Sequence, residues 1–367
     1  MKTTVRAAIV AVVLGLFVVH SSSLAAQPET RTVVDQLGRT VTIPSEVKRV
    51  VITGILPIPS VFCVVDGSGE KIVGMAPASM GAAENSMLRV FYPEVLKAST
   101  SFMKQEGSIN LEELSNLHPD VVFCSADSGE HETVEKAGIP VIAIRASSAA
   151  NGNALETVNG WVDVLGDVLN KRDRAEKLKS FGYQMLGEVA SRLWVVPEED
   201  KPSALILFNH TEKVIRVSGR NFFGDFWIKT AGGTNVADGL TGRPEITIEE
   251  IYNWDPDYIF ITNFSPTLPE DLIDNAVPGQ DWSQLKAVKN GKVFKMPIGI
   301  YRWFPPSTDS PIVIKWMAQK LHPEVFSYYD MHDVASDYYR EFYGYELKPE
   351  EVKAIFSPIR ESAKGYN

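Results

Sequence analysis

Tyr301-Arg302-Trp303-Phe304 is the densest run of chemically capable side chains in this 367-residue sequence. Arginine pairs bidentately with carboxylate, catecholate or oxyanion oxygens, while tyrosine and tryptophan give flat walls carrying one polar atom each. Together they suit capture of an anionic solute. The competing reading is packing, with Trp303 and Phe304 against their own lobe and Arg302 in a surface ion pair. Arg145 and Arg243 lie at or near predicted strand ends and could add positive charge, although a single loop arginine is usually solvated. His210 follows the end of a further predicted strand, Ala204 to Phe208, where it could contact a metal or simply cap the chain. His118, His131, His322 and His332 lack the i, i+4 pairing of a metal-ligating helix, so no site for a bare zinc or manganese ion is predicted.

Catalysis finds no support in the motifs. The sequence has no G-x-S-x-G elbow, H-E-x-x-H pair, P-loop or dinucleotide fingerprint. Glu112-Glu113 and Glu249-Glu250 fall in the first turns of predicted helices, where carboxylates favour the helix dipole. A binding protein is therefore expected, not an enzyme. Hydrophobic residues at 44% and charged residues at 22% are ordinary for a folded soluble chain. The net charge of −10 disfavours nucleic acid or an anionic membrane as partner, so anion capture must rest on local arginines. The two cysteines, Cys63 and Cys124, give no metal or C-x-x-C signature; each sits where a small buried residue would do, and the sequence leaves their pairing open.

The elements that must position these residues are legible in a repeat. Ile109-Asn110-Leu111-Glu112-Glu113-Leu114 to Pro119-Asp120-Val121-Val122-Phe123 returns as Ile246-Thr247-Ile248-Glu249-Glu250-Ile251 to Pro256-Asp257-Tyr258-Ile259-Phe260, an offset of 246 − 109 = 137 residues. Each copy reads as short helix, Pro-Asp turn and buried strand. A fainter echo joins Ser60–Val65 with Gly67, Gly69 and Ile72-Val73-Gly74 to Phe223–Lys229 with Gly232-Gly233-Thr234-Asn235-Val236. Two copies at so wide a spacing imply two similar lobes and not a solenoid. Alternating strand and helix patterns make both lobes α/β, Rossmann-like, with mostly parallel sheets.

The expected organisation is a leader over 1–25, an N-terminal lobe over 27–153, a bridging helical segment over 154–196, a C-terminal lobe over 202–309 and a helical extension over 310–367. Lys2 and Arg6 precede an apolar run, Ala7 to Val19, and Ser23-Leu24-Ala25, which is a secretory signal pattern cleaved near Ala25 or Ala26. Helical periodicity from Ala154 to Leu193 would, unbroken, reach about 60 Å at about 1.5 Å per residue. The aromatic residues of the tail, Tyr328, Tyr329, Tyr338, Tyr339, Phe342, Tyr343 and Tyr345, accompany helical spacing and are read as core packing.

The run Asp35-Gln36-Leu37-Gly38-Arg39-Thr40-Val41-Thr42-Ile43-Pro44 with Lys48-Arg49-Val50-Val51 resembles the start of mature class III periplasmic binding proteins, the iron-siderophore, haem and vitamin B12 binding family of ABC importers. Asn110–Leu114 with Pro119–Val122, Ala231–Val236 and Gly291-Lys292-Val293-Phe294 match the same pattern in order, from about Thr32 to about Leu321. The resemblance implies two α/β lobes joined by a long rigid helix, a shallow cleft and little hinge motion. It further implies a monomeric periplasmic protein without cofactor, capturing an iron(III) complex of the siderophore type and delivering it to a permease and ATPase in the inner membrane. Molybdate, tungstate, haem and cobalamin are alternatives on the same fold, as is a sensor or metal chaperone outside import. Ligand contacts are then expected from Tyr301, Arg302, Trp303, Arg145, Arg243 and His210 in strand-end loops. The resemblance also implies docking to the permease through one carboxylate per lobe, at the positions of Glu130 and Glu270. The tail beyond Phe326 exceeds the family's minimal pattern.

Overall fold

The computed structural model describes residues 29–54, 57–104, 107–146 and 149–363. The expected leader and Ile55-Leu56 of the first strand-end loop lie outside the described residues. The chain opens with an antiparallel hairpin, β1 (Thr30–Val34) and β2 (Thr40–Pro44), whose turn explains the Asp35-x-x-Gly38-Arg39 pattern. Asp35 Oδ1 accepts the Leu37 and Arg39 N–H groups, Gly38 takes φ +78°, and the Arg39 guanidinium returns to Asp35 Oδ2. Asx turns and a positive φ are what a short acidic side chain and a glycine do well.

The first lobe follows as β3 (Val50–Ile52), α1 (Ile58–Asp66), β4 (Ile72–Met75), α2 (Pro77–Glu84), α3 (Leu88–Phe91), α4 (Leu111–Asn116), β5 (Val121–Ser125), α5 (Glu130–Glu135) and β6 (Val141–Ile144). Its four strands are parallel in the order β4-β3-β5-β6, and the hairpin covers the β6 edge through Gln36 N–H to the Ala143 carbonyl. After α6 (Ala154–Leu169) and α7 (Arg172–Leu193) the second lobe runs β7 (Ser203–His210), β8 (Ile215–Val217), α8 (Phe223–Thr230), β9 (Thr234–Asn235), β10 (Glu245–Ile246), α9 (Ile248–Trp254), β11 (Tyr258–Ile261), α10 (Pro269–Ile273), α11 (Lys286–Lys289) and β12 (Val293–Lys295). The parallel order β9-β7-β11-β12 reproduces that of the first lobe, with β8 and β10 added antiparallel along the outer half of β7. The repeat in the sequence is thus a repeat in space. Its helix starts are capped locally: the Asn110 side chain caps α4, and Thr247 and the first-turn Glu250 form a reciprocal capping box on α9.

The helical stretch over 154–193 is not one rod. Asn170, at φ +56°, ends α6, and α7 doubles back antiparallel to it. Gly166 and Gly182 permit the close approach, since a Cβ on either would meet Ala175 or Leu155 at 2.8 Å. The apolar periodicity crosses the break without a phase signal, which is why the turn is hidden in the sequence. The long 22-residue α7 is the member of the pair that runs along the second lobe.

Side chains alternate across every buried strand, as a period of two demands. Val121 and Phe123 of β5, with Ala204, Ile206 and Phe208 of β7, face a core shared by the two lobes; Val122 and Cys124, and Leu205 and Leu207, face separate outer layers. The shared core is filled by α1, α6, α7 and the C-terminal helices α12 (Ser310–Leu321) and α13 (Met331–Tyr343), followed by α14 (Pro349–Phe356). The region over 310–363 is therefore built into the body. Tyr338, Tyr339 and Phe342 are buried, as read from the sequence, while Tyr328 remains 46% exposed. Cys63 and Cys124 lie in different layers as free, buried thiols, and burial pushes both thiol pKa values up.

Candidate ligand-binding cleft

Within each sheet the parallel strands end on one edge, and their following loops gather there: Thr53-Gly54 after β3, Ala76 and the first turn of α2 after β4, Ser125-Ala126-Asp127 after β5, and Arg145 after β6. The corresponding edge of the second sheet carries Asn209-His210, Thr262-Asn263-Phe264 and the 296–304 segment. The lobes meet at two places beside these edges. Met87 N–H donates to the Gly299 carbonyl at 2.8 Å, and Gly152 is pressed so closely on Asn221 that an added Cβ would sit 2.7 Å from its carbonyl carbon. Crevices outside the carboxyl ends of parallel strands are where open α/β sheets bind ligands.

On the second lobe the structure gathers a wall that was only partly foreseen. Phe208, Phe222, Phe264 and Phe304 pack at centroid distances of 5.2–6.3 Å. The Arg243 guanidinium lies over Phe208 at 5.3 Å and Phe222 at 5.4 Å; Arg302 lies over Phe264 at 5.1 Å. Two cations thus flank one aromatic cluster. Arg243 is exposed, and among the described residues no carboxylate pairs with it. Arg302 is 2% exposed and far from the surface ion pair considered above: Nε donates to the Asn263 carbonyl at 3.0 Å, Nη2 to the Ser362 carbonyl at 3.1 Å, and Nη1 to the Tyr301 hydroxyl at 3.2 Å. A phenol that accepts from a guanidinium is a stronger donor in turn. Phe264 follows a predicted strand end, whereas Phe208 and Phe222 were missed because nothing separates them by type from core phenylalanines.

Other expected contacts sit elsewhere. Trp303 is fully buried, its Nε1 donating to Asp309 Oδ2 at 3.0 Å and its ring edge-on to Trp316 and Phe356, so it packs the lobe and does not line the cleft. His210 is also fully buried, with Nδ1 on Thr267 Oγ1 at 2.9 Å, Nε2 on Gln280 Oε1 at 2.7 Å and its ring against Trp282. Both nitrogens are used, and burial lowers its pKa below the usual histidine value, which makes it a structural, neutral group and not a metal contact. Arg145 stays at the β6 end, with Nε held by the Gln36 carbonyl at 3.1 Å and its backbone N–H by Gln36 Oε1 at 2.7 Å. Glu130 is half-buried, its carboxylate turned toward the lobe to accept the Thr53 hydroxyl at 2.7 Å beside Gly54. Glu270, in the first turn of α10, is exposed.

Two buried ions hold the second-lobe loops. Lys295 Nζ donates to the carbonyls of Thr262, Ser265 and Thr267 at 2.6–2.9 Å, and burial, aided by the nearby Arg360 charge, lowers its pKa to about 7. Asp309 accepts from Ile300 N–H, Trp303 Nε1, Tyr339 Oη and Tyr343 Oη at 2.8–3.0 Å, yet burial still pushes its carboxyl up to about 6. A groove of about 930 Å³ lies outside the cleft, against β12, between Glu270, Phe294, Trp316, Lys320 and His332. Among the described residues no group of three or more His, Cys, Asp or Glu side chains could hold a metal ion.

The strand-end loops of two duplicated parallel sheets, with the exposed Arg243 beside a buried aromatic cluster, form the kind of edge at which such sheets bind solutes. In agreement, the family model described as "Periplasmic binding protein" matches residues 67–298. The chain belongs to that family. Molybdate-binding protein MolA of Haemophilus influenzae is 25% identical over 340 residues, covering 88% of this chain and 93% of that protein. Its molybdate-bound structure superposes with a TM-score of 0.71 at 23% identity over 87% of this chain and 99% of that one. A periplasmic solute binding protein of Veillonella parvula aligns with a TM-score of 0.81 at 31% identity, over 92% of this chain and 100% of its own. Fe(3+)-citrate-binding protein YfmC of Bacillus subtilis is 23% identical over 279 residues, 75% of this chain and 81% of that protein. The chain is thus a class III periplasmic binding protein, the substrate-binding component of an ABC importer, and a binder rather than an enzyme.

Proposed function

We propose that the cargo is a compact oxyanion of the molybdate or tungstate class, bound in the periplasm and passed to the importer's permease and ATPase. The observation that carries this reading is the pair of guanidinium groups, Arg243 and Arg302, on either side of the phenylalanine cluster, with the Tyr301 hydroxyl polarised by Arg302. Hard oxyanions are held by charge-assisted N–H and O–H donors, and a low-dielectric aromatic surround strengthens each of them. Tyr301 and Arg302 are each 2% exposed while the lobes touch beside them, a geometry that favours a small solute over a bulky chelate. The likeness to MolA over most of both chains points the same way. Arg243 and Tyr301 are the direct contacts in this reading, and Arg302 holds Tyr301. The exposed Glu270 is one docking point for the permease.

A ferric chelate is the second reading, favoured by the aromatic wall and by the similarity to the Fe(3+)-citrate-binding protein. Calorimetric titration with molybdate, tungstate, sulfate, ferric citrate and a ferric hydroxamate separates the two. Saturable one-to-one binding of molybdate and tungstate is expected, with Arg243→Ala raising Kd about 10- to 100-fold, since a hydrogen bond to a charged group contributes about 1.5–3 kcal/mol. Tight binding of a ferric chelate without binding of molybdate or tungstate would overturn the oxyanion assignment.

A further inference from the structure

The tail reaches the ligand loop at several points. Tyr339 Oη and Tyr343 Oη, both on α13, donate to Asp309 at 2.8 and 3.0 Å, and the same carboxylate accepts Ile300 N–H at 2.9 Å and Trp303 Nε1 at 3.0 Å. Ile298 N–H donates to the Ile355 carbonyl of α14 at 3.0 Å, and the Ser362 carbonyl accepts from Arg302. Segment 298–303, which holds Tyr301 and Arg302, is therefore pinned at its start, middle and end. Gly299 is part of the joint: a Cβ there would fall 1.9 Å from Tyr339 Oη and 2.1 Å from Asp309 Oδ2, so only glycine lets the loop close on the carboxylate. The rings of the same two tyrosines reach the first lobe. Phe91 of α3 packs against Tyr339 at 5.0 Å and Tyr343 at 5.2 Å, while Met87, just before α3, donates to the Gly299 carbonyl. Arg174 of α7 closes the frame by donating to carbonyls of Val64 in α1 and Phe342 in α13.

We propose that the C-terminal segment from α13 to Ser362 is a strap that sets the Tyr301–Arg302 ligand loop against the first lobe, with Asp309 as its hub and hence a positioning residue for cargo binding. This rests on the oxyanion reading only for the choice of probe. A buried carboxylate receiving four donors holds them in one arrangement, because moving any donor away leaves it, or the charge, uncompensated in an apolar surround. The strap joins the ligand loop and α3 through shared tyrosines, so loop position and lobe position are set together.

The test uses the full chain in three variants. Tyr339→Phe keeps the ring on Phe91 and removes one donor to Asp309; Asp309→Asn removes the charge at the hub; Tyr345→Phe, whose hydroxyl serves Glu351 instead, is the control. Amide hydrogen exchange across 298–304 in the ligand-free protein and calorimetric affinity for molybdate are the readouts. For Tyr339→Phe and Asp309→Asn, exchange should accelerate about tenfold and molybdate Kd rise about fivefold or more, with the control at wild-type values in both, the scale set by one lost hydrogen bond to a charged group. Unchanged exchange in both hub variants overturns the strap. Faster exchange with unchanged affinity overturns the positioning role. If the wild-type chain binds no molybdate, the oxyanion reading fails by itself, and the exchange data alone decide for or against the strap.

Discussion

Replacing Lys295 with methionine tests how the second-lobe face of the cleft is held. Its Nζ lies within hydrogen-bond reach of three carbonyls in the turn after β11, and that turn presents Asn263 and Phe264 to Arg302. Methionine keeps the apolar stem and strands the Ser265 and Thr267 carbonyls; at about 1–3 kcal/mol for each unsatisfied buried acceptor the loss is about 3 kcal/mol. The pH dependence is the sharper signature. Burial lowers the Lys295 pKa from 10.5 to about 7, so between those values the unfolded chain binds the proton and the folded one does not. Stability then rises with pH across this window, by up to about 1.4 kcal/mol per unit; below both pKa values the lysine is protonated in both states, so its destabilising cost is fully present and no longer varies with pH. Lys295→Met lacks this dependence. Urea unfolding of both proteins at pH 7, 8 and 9, followed by tryptophan fluorescence, should show a stability gap that widens by up to about 3 kcal/mol over those two units. Other titrating groups are common to both chains and cancel in the difference. Parallel pH profiles would refute the reasoning, because they would mean that the folded lysine keeps its ordinary proton affinity.

Arg302→Ala should lower stability by about 3 kcal/mol as well as weaken anion binding, because it strands the Asn263 and Ser362 carbonyls; loss of affinity with unchanged thermal stability would show a free ligand arm instead. His210 is neutral when folded, with its pKa depressed by burial, so its stabilising contribution is complete at neutral pH and is lost as pH falls below the unfolded value near 6.5. His210→Gln should therefore flatten the acid limb of the stability curve, checked by thermal melts between pH 5 and 7. Cys63 and Cys124 are buried thiols with raised pKa values, so a thiol-titrating reagent should find neither in the native protein and both after unfolding in denaturant.

What the sequence revealed and what it concealed divide along a physical line. The duplication was legible because capping chemistry and buried-strand composition are local: Asn110 and Thr247 start helices, and Val121–Phe123 and Tyr258–Phe260 can only be interior. Strands β8 and β10, three and two residues long, carry too few side chains to show a period, and their pairing depends on β7. The inward turn of Glu130 is a rotamer choice made by Thr53, 77 residues away. The burial of Arg302 and Trp303 is decided by partners at Ser362 and Asp309, on chain segments whose approach no spacing rule encodes.

The same distinction explains the division of labour among the arginines. A guanidinium in an interior loop must have its donors matched, and carbonyl oxygens match it without cancelling its charge. Arg302 is matched in this way by Asn263 and Ser362, so it keeps a positive field inside the second lobe while remaining fixed. Arg243, exposed on the far side of the same phenylalanine cluster and without a carboxylate partner among the described residues, has donors to offer a solute. In a chain of net charge −10, anions are repelled on average, and a fixed inner cation behind an exposed outer one is a physical means of reversing that sign at one place. Exchanging the burial of the two would therefore cost binding even at constant charge: Arg302→Lys, which retains the cation but loses the planar fork, should weaken molybdate binding about as strongly as Arg243→Lys or more.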